Sequence, residues 1–187
     1  MASKVKVDQL ETLDGTGTIA LQNQLSGMTG VSMPSGHILQ MVQTQIATTT
    51  STSSMLSFVD TSSLLAITPS ATSSKILVIF AAPCSVHDDA ADAGLALRVS
   101  RAISGGATSY PASLDTLNLG ASYVYSGSGT SYVQEFSQLY TIIGYDSPST
   151  TSAVTYTLQL YGTSALTVRN NSYDTSQTSI TLMEIKG

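Results

Sequence analysis

The sequence predicts an all-β chain, an extended or hairpin arm followed by a jelly-roll β-sandwich. Three observations predict it. Apolar residues alternate with polar ones at a spacing of two, most clearly in "AVTYTLQLYG", where Val154, Tyr156, Leu158 and Leu160 share one face and Thr155, Thr157 and Gln159 the other. Short runs of this kind recur along the chain, separated by clusters of Gly, Ser, Asn, Asp and Pro. No segment carries the spacing of three and four that an amphipathic helix needs. Short strands with such turns define a sandwich or jelly roll.

Residues 1–35 differ in kind from the rest. "VKVDQLETLDGTGTIALQNQ" has one hairpin signal, Asp14-Gly15, and gives way to "LSGMTGVSMPSG". A lone hairpin is marginal in water, so this arm is expected to gain its structure on a partner surface. Val5, Val7, Leu10, Asp14, Gly15, Ile19 and Leu21 are its candidate anchoring residues.

Residues 36–187 are expected to form the sandwich. Its strands are predicted in "HILQMVQTQ", "SMLSFVDTS", "LLAIT", "KILVIF", "GLALRVSRA", "YVQEFSQLYTIIGY", "AVTYTLQLYG", "ALTVRN" and "SITLMEI". In "GLALRVSRA" the alternation points Leu95, Leu97 and Val99 inward and Arg98 and Ser100 outward. Ser70 to Ser74 read as a hydroxyl-rich turn, with Lys75 at the entrance of the next strand and its charge in solvent.

Two of these strands are apolar on both faces. In Ile76 to Phe80 every residue is apolar, and in "SITLMEI" Ile180 and Leu182 point opposite to Met183 and Ile185. A strand with two dry faces needs a second cover, and no helix is available to supply it. The simplest cover is another copy of the chain in a cyclic homo-oligomer, with Leu77, Ile79, Met183 and Ile185 as interface candidates.

Composition excludes several classes of function. Charged residues are 10% of the chain, against about 25% in a typical soluble domain. The net charge is −5 and the seven basic residues are scattered, which leaves no electrostatic footprint for nucleic acid. No apolar run is long enough to insert in a membrane, and "MASKVKVDQLE" lacks the apolar stretch of a signal peptide, so synthesis in a cytoplasm is expected.

Chemistry-bearing patterns are sparse, and the chain is expected not to be an enzyme and to use no cofactor. There is no nucleophile elbow and no phosphate-binding glycine loop. Glycosidic cleavage needs two carboxylates flanking the bond, and the three Glu residues fall on separate elements, though Glu135 could meet Asp146 or Asp115 in space. The single Cys84 sits among apolar neighbours as a buried filler. His37 is expected to pack structurally. "VHDDAAD" brings Asp88, Asp89 and Asp92 together beside His87, but it lacks the spacing of a calcium loop and reads as a solvated acidic loop, a weak candidate for metal.

The aromatic residues carry more information. Tyr110, Tyr123, Tyr125 and Tyr132 lie in the Gly/Ser-rich stretch "SYPASLDTLNLGASYVYSGSGTSY". Tyr supplies a large rigid contact area while Ser, Gly and Asn adapt around it, which is the composition of binding loops. These four are the candidate receptor contacts, for a glycan or protein of a host surface.

"KVDQLETLDGTGTIAL", "MPSGHILQMVQTQ", "FVDTSSLLAITPSATSSKILVIF" and the ending "SITLMEIKG" resemble bacteriophage virion appendage proteins, especially the fibre-type proteins common among marine phages. The resemblance covers most of the chain, apart from Pro83 to Tyr132. It implies a trimeric C-terminal domain similar to C1q/TNF-like jelly rolls, carried on the virion by the N-terminal arm. The expected function is that of a tail fibre or related host-attachment protein, with itself and other tail or capsid proteins as partners and the virion as its location after synthesis in the host cytoplasm. The alternatives are a capsid-surface fibre or decoration protein and, from another class, a glycan-degrading enzyme.

Overall fold

One long strand, β4 (Lys75–Asp88), organises half of the fold. The computed structural model describes residues 34–54, 56–88, 93–115, 122–124, 134–163, 167–171 and 175–187. Before β4 come β1 (Ile38–Ile46), β2 (Thr50–Thr52) and β3 (Val59–Ile67). After it come β5 (Ala93–Ile103), β6 (Thr108–Ser109), a single 3-10 turn at Ala112–Leu114, β7 (Ser122–Val124), β8 (Gln134–Asp146), β9 (Val154–Gly162), β10 (Thr167–Asn170) and β11 (Thr178–Ile185). Every pairing between them is antiparallel.

The first sheet is built on both edges of β4. β8 runs along one edge from end to end, while β11 covers the first half of the other edge and β10 the second. β1 extends the sheet beyond β11, and β2 extends it beyond β10. The second sheet has the order β3-β9-β5-β6, with β7 also on β5. Inward-facing residues of both sheets form one core that includes Ile76, Val78, Phe80, Ile180 and Leu182 from the first and Leu95, Leu97, Val99, Tyr156, Leu158 and Leu160 from the second. The all-β, sandwich-like architecture follows from the alternation: each strand buries one side of its pleat and turns the other outward.

Three details depart from the strand assignments made on sequence. The two expected strands "SMLSFVDTS" and "LLAIT" are one strand, β3, with a register irregularity between Asp60 and Leu64. β4 continues past Phe80 through Pro83 to Asp88, so the "VHDDAAD" segment begins on a strand and not in a loop. Pro83 is tolerated because it falls where the ladder to β11 ends, at Ala81, and before the ladder to β10 begins, at Cys84. The short strands β2, β6 and β7 carry too few residues for a periodic signal.

Three clusters join buried polar side chains by hydrogen bonds. Glu184 on β11 is almost fully buried and accepts from the Ser70 backbone N–H and hydroxyl, the Ser74 hydroxyl and the Gln40 side-chain amide. Asn170 and Asn171, at the end of β10, bond Ser63, Thr178, Pro83 and the carbonyls of Ile46 and Thr48. Asp146 at the end of β8 pairs with Arg101 of β5 at 2.8 Å and accepts from the Tyr156 hydroxyl of β9, also at 2.8 Å, which ties the two sheets together. Burial, reinforced by the Asp146 carboxylate, pushes the Tyr156 hydroxyl far above its ordinary range and keeps it a donor.

Candidate functional site

The outward face of the first sheet carries the exposed side chains of Met41, Leu139, Ile143 and Tyr145. Strand register builds it row by row. Met41 of β1 lies opposite Met183 of β11, Met183 opposite Leu77 of β4, and Leu77 opposite Tyr145 of β8. The next row is Gln43, Thr181, Ile79 and Ile143. Further along, Ala81 faces Thr141 and Pro83 faces Leu139. Leu139 is 64% exposed, Ile143 and Tyr145 58% each and Met41 56%.

From strand spacing the apolar surface runs about 15 Å across the four strands at the Met41 row and about 20 Å along β4 and β8, with Gln43, Thr181 and Thr141 as polar positions within it. Its centre carries no charged side chain. Lys75 stands at one end, where it lines an open cleft of about 420 Å³ with Gly36, Tyr145, Ser147 and Ile185.

The interface candidates Leu77, Ile79, Met183 and Ile185 therefore share this one face, each partly buried by its neighbours. Sequence reasoning missed Leu139, Ile143, Tyr145 and Met41. For the three residues of β8 the signal was present in "LYTIIGY", which apart from Thr141 has apolar residues at both parities.

The outward face of the second sheet is polar and aromatic. Arg98 lies opposite Gln159 on the neighbouring strand, and Gln159 lies opposite Asp60. Their side chains form a chain of hydrogen bonds, Arg98 Nε to Gln159 at 2.5 Å and Gln159 Nε2 to Asp60 at 2.6 Å. The Arg98 guanidinium carbon sits 3.7 Å from the ring centre of Phe58 and 3.7 Å from that of Tyr110. Phe58 also contacts Tyr161, with ring centres 5.1 Å apart. Asp115 bridges to the Arg98 backbone, and β7 pairs with β5 at Ala93 to Leu95. The Tyr/Ser/Gly-rich segment is thus held at two points along the β5 edge. No local pattern in the sequence announces this cluster.

Of the receptor-contact candidates, Tyr110 is at the surface against Arg98, and Tyr123 is on β7, opposite Gly94. Tyr125 and Tyr132 lie outside the described residues, as do the anchor candidates Val5, Val7, Leu10, Asp14, Gly15, Ile19 and Leu21. Asp89 and Asp92 also lie outside them, and Asp88 is the last residue of β4. Among the described residues no three His, Cys, Asp or Glu side chains come together as a metal site.

Glu135 and Asp146 occupy opposite ends of the same strand, about 35 Å apart at the rise of an antiparallel strand, so they cannot flank one bond. Cys84 is buried beside Asn170, and burial, only partly opposed by that contact, pushes its thiol up to about 12, as suits a filler. His37 does not pack: it is exposed, and its carbonyl accepts from the Lys186 N–H. No family model matches the chain, and no curated protein sequence matches it either.

Proposed function

We propose that this chain is a non-enzymatic structural protein of a bacteriophage virion, a homotrimeric jelly-roll appendage of the tail-fibre type that contributes to host attachment and is anchored by its N-terminal arm. The observation that carries the reading is the outward face of the first sheet. Met41, Met183, Leu77, Ile79, Ile143 and Tyr145 form an apolar surface with no charged side chain at its centre, on a chain of net charge −5. Copies of the chain can meet there without bringing like charges together, and burying the face removes it from water.

Strand order supports the jelly roll. Taking β1, β3, β4, β5, β7, β8, β9 and β11 as the principal strands, the first pairs with the last, the second with the second last, the third with the third last, and the fourth with the fifth. That nested pairing is what a long hairpin produces when it is rolled into two sheets. The resemblance to fibre-type virion proteins sets the number of copies at three. Three copies would also let individually weak contacts act together on a cell surface.

Light scattering on the purified chain tests the assembly, with an expected mass three times the 19.5 kDa of one copy. Ile79→Asp should return a folded monomer, because it puts a charge into the interface and leaves the core intact. A wild-type monomer at micromolar concentration would remove the main support for the reading. Antibody labelling of intact phage particles, viewed by electron microscopy, tests the virion location and places the protein on tail or capsid.

A further inference from the structure

We infer that the Arg98 guanidinium, held between Phe58 and Tyr110 on the outward face of the second sheet, is a receptor site for the carboxylate of an acidic sugar. The inference rests on the reading of the chain as an attachment protein and names the ligand class at its contact surface.

The site is built to hold its charge still. Arg98 meets two aromatic rings at 3.7 Å each, and its Nε is spent on Gln159, itself fixed by Asp60. A guanidinium has five N–H donors, and the four on Nη1 and Nη2 find no acceptor among the described residues. The Asp60 carboxylate, one strand beyond Gln159, is engaged by the Gln159 amide. The other arginine of β5, Arg101, is by contrast consumed by Asp146 and Ser109. A planar fork fixed in this way matches a carboxylate through two parallel hydrogen bonds, and little side-chain freedom is lost on binding.

The surroundings suit a sugar. Tyr110 covers Arg98 and is still 49% exposed, so it offers ring surface next to the charge. Gln159 is buried and used on both sides of its amide, so it holds the guanidinium in place, while the exposed Asp60 carboxylate at the far end of the chain of bonds can accept from a sugar hydroxyl. The cluster is on the sheet opposite the apolar assembly face, so trimerisation through the first sheet leaves it open. The segment carrying Tyr110 and Tyr123 runs beside it on β5.

The test titrates the full-length chain with methyl glucuronide, N-acetylneuraminic acid, methyl glucoside and inorganic phosphate, followed by NMR, with light scattering on the same samples. The two carboxylated sugars should bind saturably, and methyl glucoside and phosphate at least tenfold more weakly. Which of the two acids binds more tightly distinguishes a uronic from a sialic acid receptor. Arg98→Lys, which keeps the charge but loses the planar fork, should weaken binding at least tenfold in a chain that is still folded at the temperature of the titration. Tyr110→Ser provides a second variant at a half-exposed position, with the same expected direction. Equal binding of glucoside and glucuronide, no binding of either acid, or an undiminished affinity in both variants would overturn the site. A trimer that binds no acidic sugar refutes this inference alone, whereas a monomer that binds one refutes the assembly and leaves the site standing.

Discussion

The Ser74 hydroxyl donates to the Glu184 carboxylate across 2.6 Å in the interior of the sandwich, one residue before β4 begins. Ser70 adds its N–H and its hydroxyl to the same oxygen, each at 2.7 Å, and Gln40 bonds the other oxygen at 2.6 Å. The hydroxyl-rich turn and the apolar strand that follows it are thus two parts of one device. The turn supplies donors for a buried charge on β11, and the strand packs against the same β11. Burial alone would raise the Glu184 pKa, but these hydrogen bonds outweigh it and hold the carboxyl below its ordinary value.

Glu184→Gln should destabilise the fold by about 1–3 kcal/mol. The new amide keeps an acceptor for the serines but sets an NH2 group against Gln40, which cannot turn without giving up its bond to the Thr68 carbonyl. The pH dependence has a definite sign. Because the folded pKa is depressed, the unfolded chain takes up the proton first as pH falls. The advantage of the native Glu184 over its amide replacement is then full above the unfolded value of about 4.3 and declines as pH drops through the lower folded value. Urea denaturation of both proteins between pH 7 and pH 3 measures it. A stability gap that does not change over that range would contradict the charged network.

Asn171 should be the least replaceable residue of the β10–β11 connection. It sits at φ 55°, where Asn is tolerated and most residues are strained. Its amide donates to the carbonyls of Ile46 and Thr48, and its backbone N–H to that of Pro83. Asn171→Ala loses these two side-chain bonds and the one that Oδ1 accepts from the Thr178 hydroxyl, and adds strain, for a cost of about 2–4 kcal/mol. Asn171→Gly loses the same bonds without the strain and should be milder by about 1 kcal/mol. Thermal unfolding of the two variants separates the contributions.

Much of this fold can be read from parity. In β9 and β11 strict alternation sorts the inward from the outward residues, and the same rule puts Leu77, Ile79, Met183 and Ile185 on one outer face. Parity even places Glu184 inward, beside Ile180 and Leu182, although nothing local says which donors it will meet. Those donors belong to β1 and to the turn before β4, far away in the chain. The continuation of β4 through Pro83 is hidden for a related reason. A proline reads as the end of a strand unless one knows that two different partners exchange places beside it. The Arg98 cluster is hidden more deeply, since Phe58, Arg98, Gln159 and Tyr110 come from four segments that meet only once β3, β9 and β5 are in register.

Gly144 should resist even the smallest enlargement. A Cβ there would collide with the Ser113 carbonyl oxygen and come within 2.7 Å of a Leu114 methyl. Leu114 is fully buried, and the Ser113 hydroxyl is bonded to the Tyr145 carbonyl at 2.7 Å, so the turn at Ala112–Leu114 cannot retreat without uncovering the core. Gly144→Ala should cost about 1–3 kcal/mol by displacing that turn, a fall of several degrees in the thermal midpoint. A midpoint equal to that of the wild type would mean that the turn is not a fixed lid over β8.

The final prediction separates the arm from the sandwich. Pro34 to Gly187 form a compact unit with its own apolar core, and the entry to β1 is fastened from within that unit. The Gly36 N–H donates to the Lys186 carbonyl and the Lys186 N–H to the His37 carbonyl, both at 2.8 Å. A chain beginning at Ser35 keeps both bonds and every strand of the two sheets, so it should fold with nearly the stability of the full chain and, on the proposed function, assemble through the first sheet. The residues it lacks include Val5, Val7, Leu10, Ile19 and Leu21 around Asp14-Gly15, a set suited to adding strands to a partner sheet. Supplied as the only copy during infection, the shortened chain should be found assembled in lysates and missing from purified particles. Its recovery on particles at full occupancy would place the anchoring surface on the sandwich and rule out the arm.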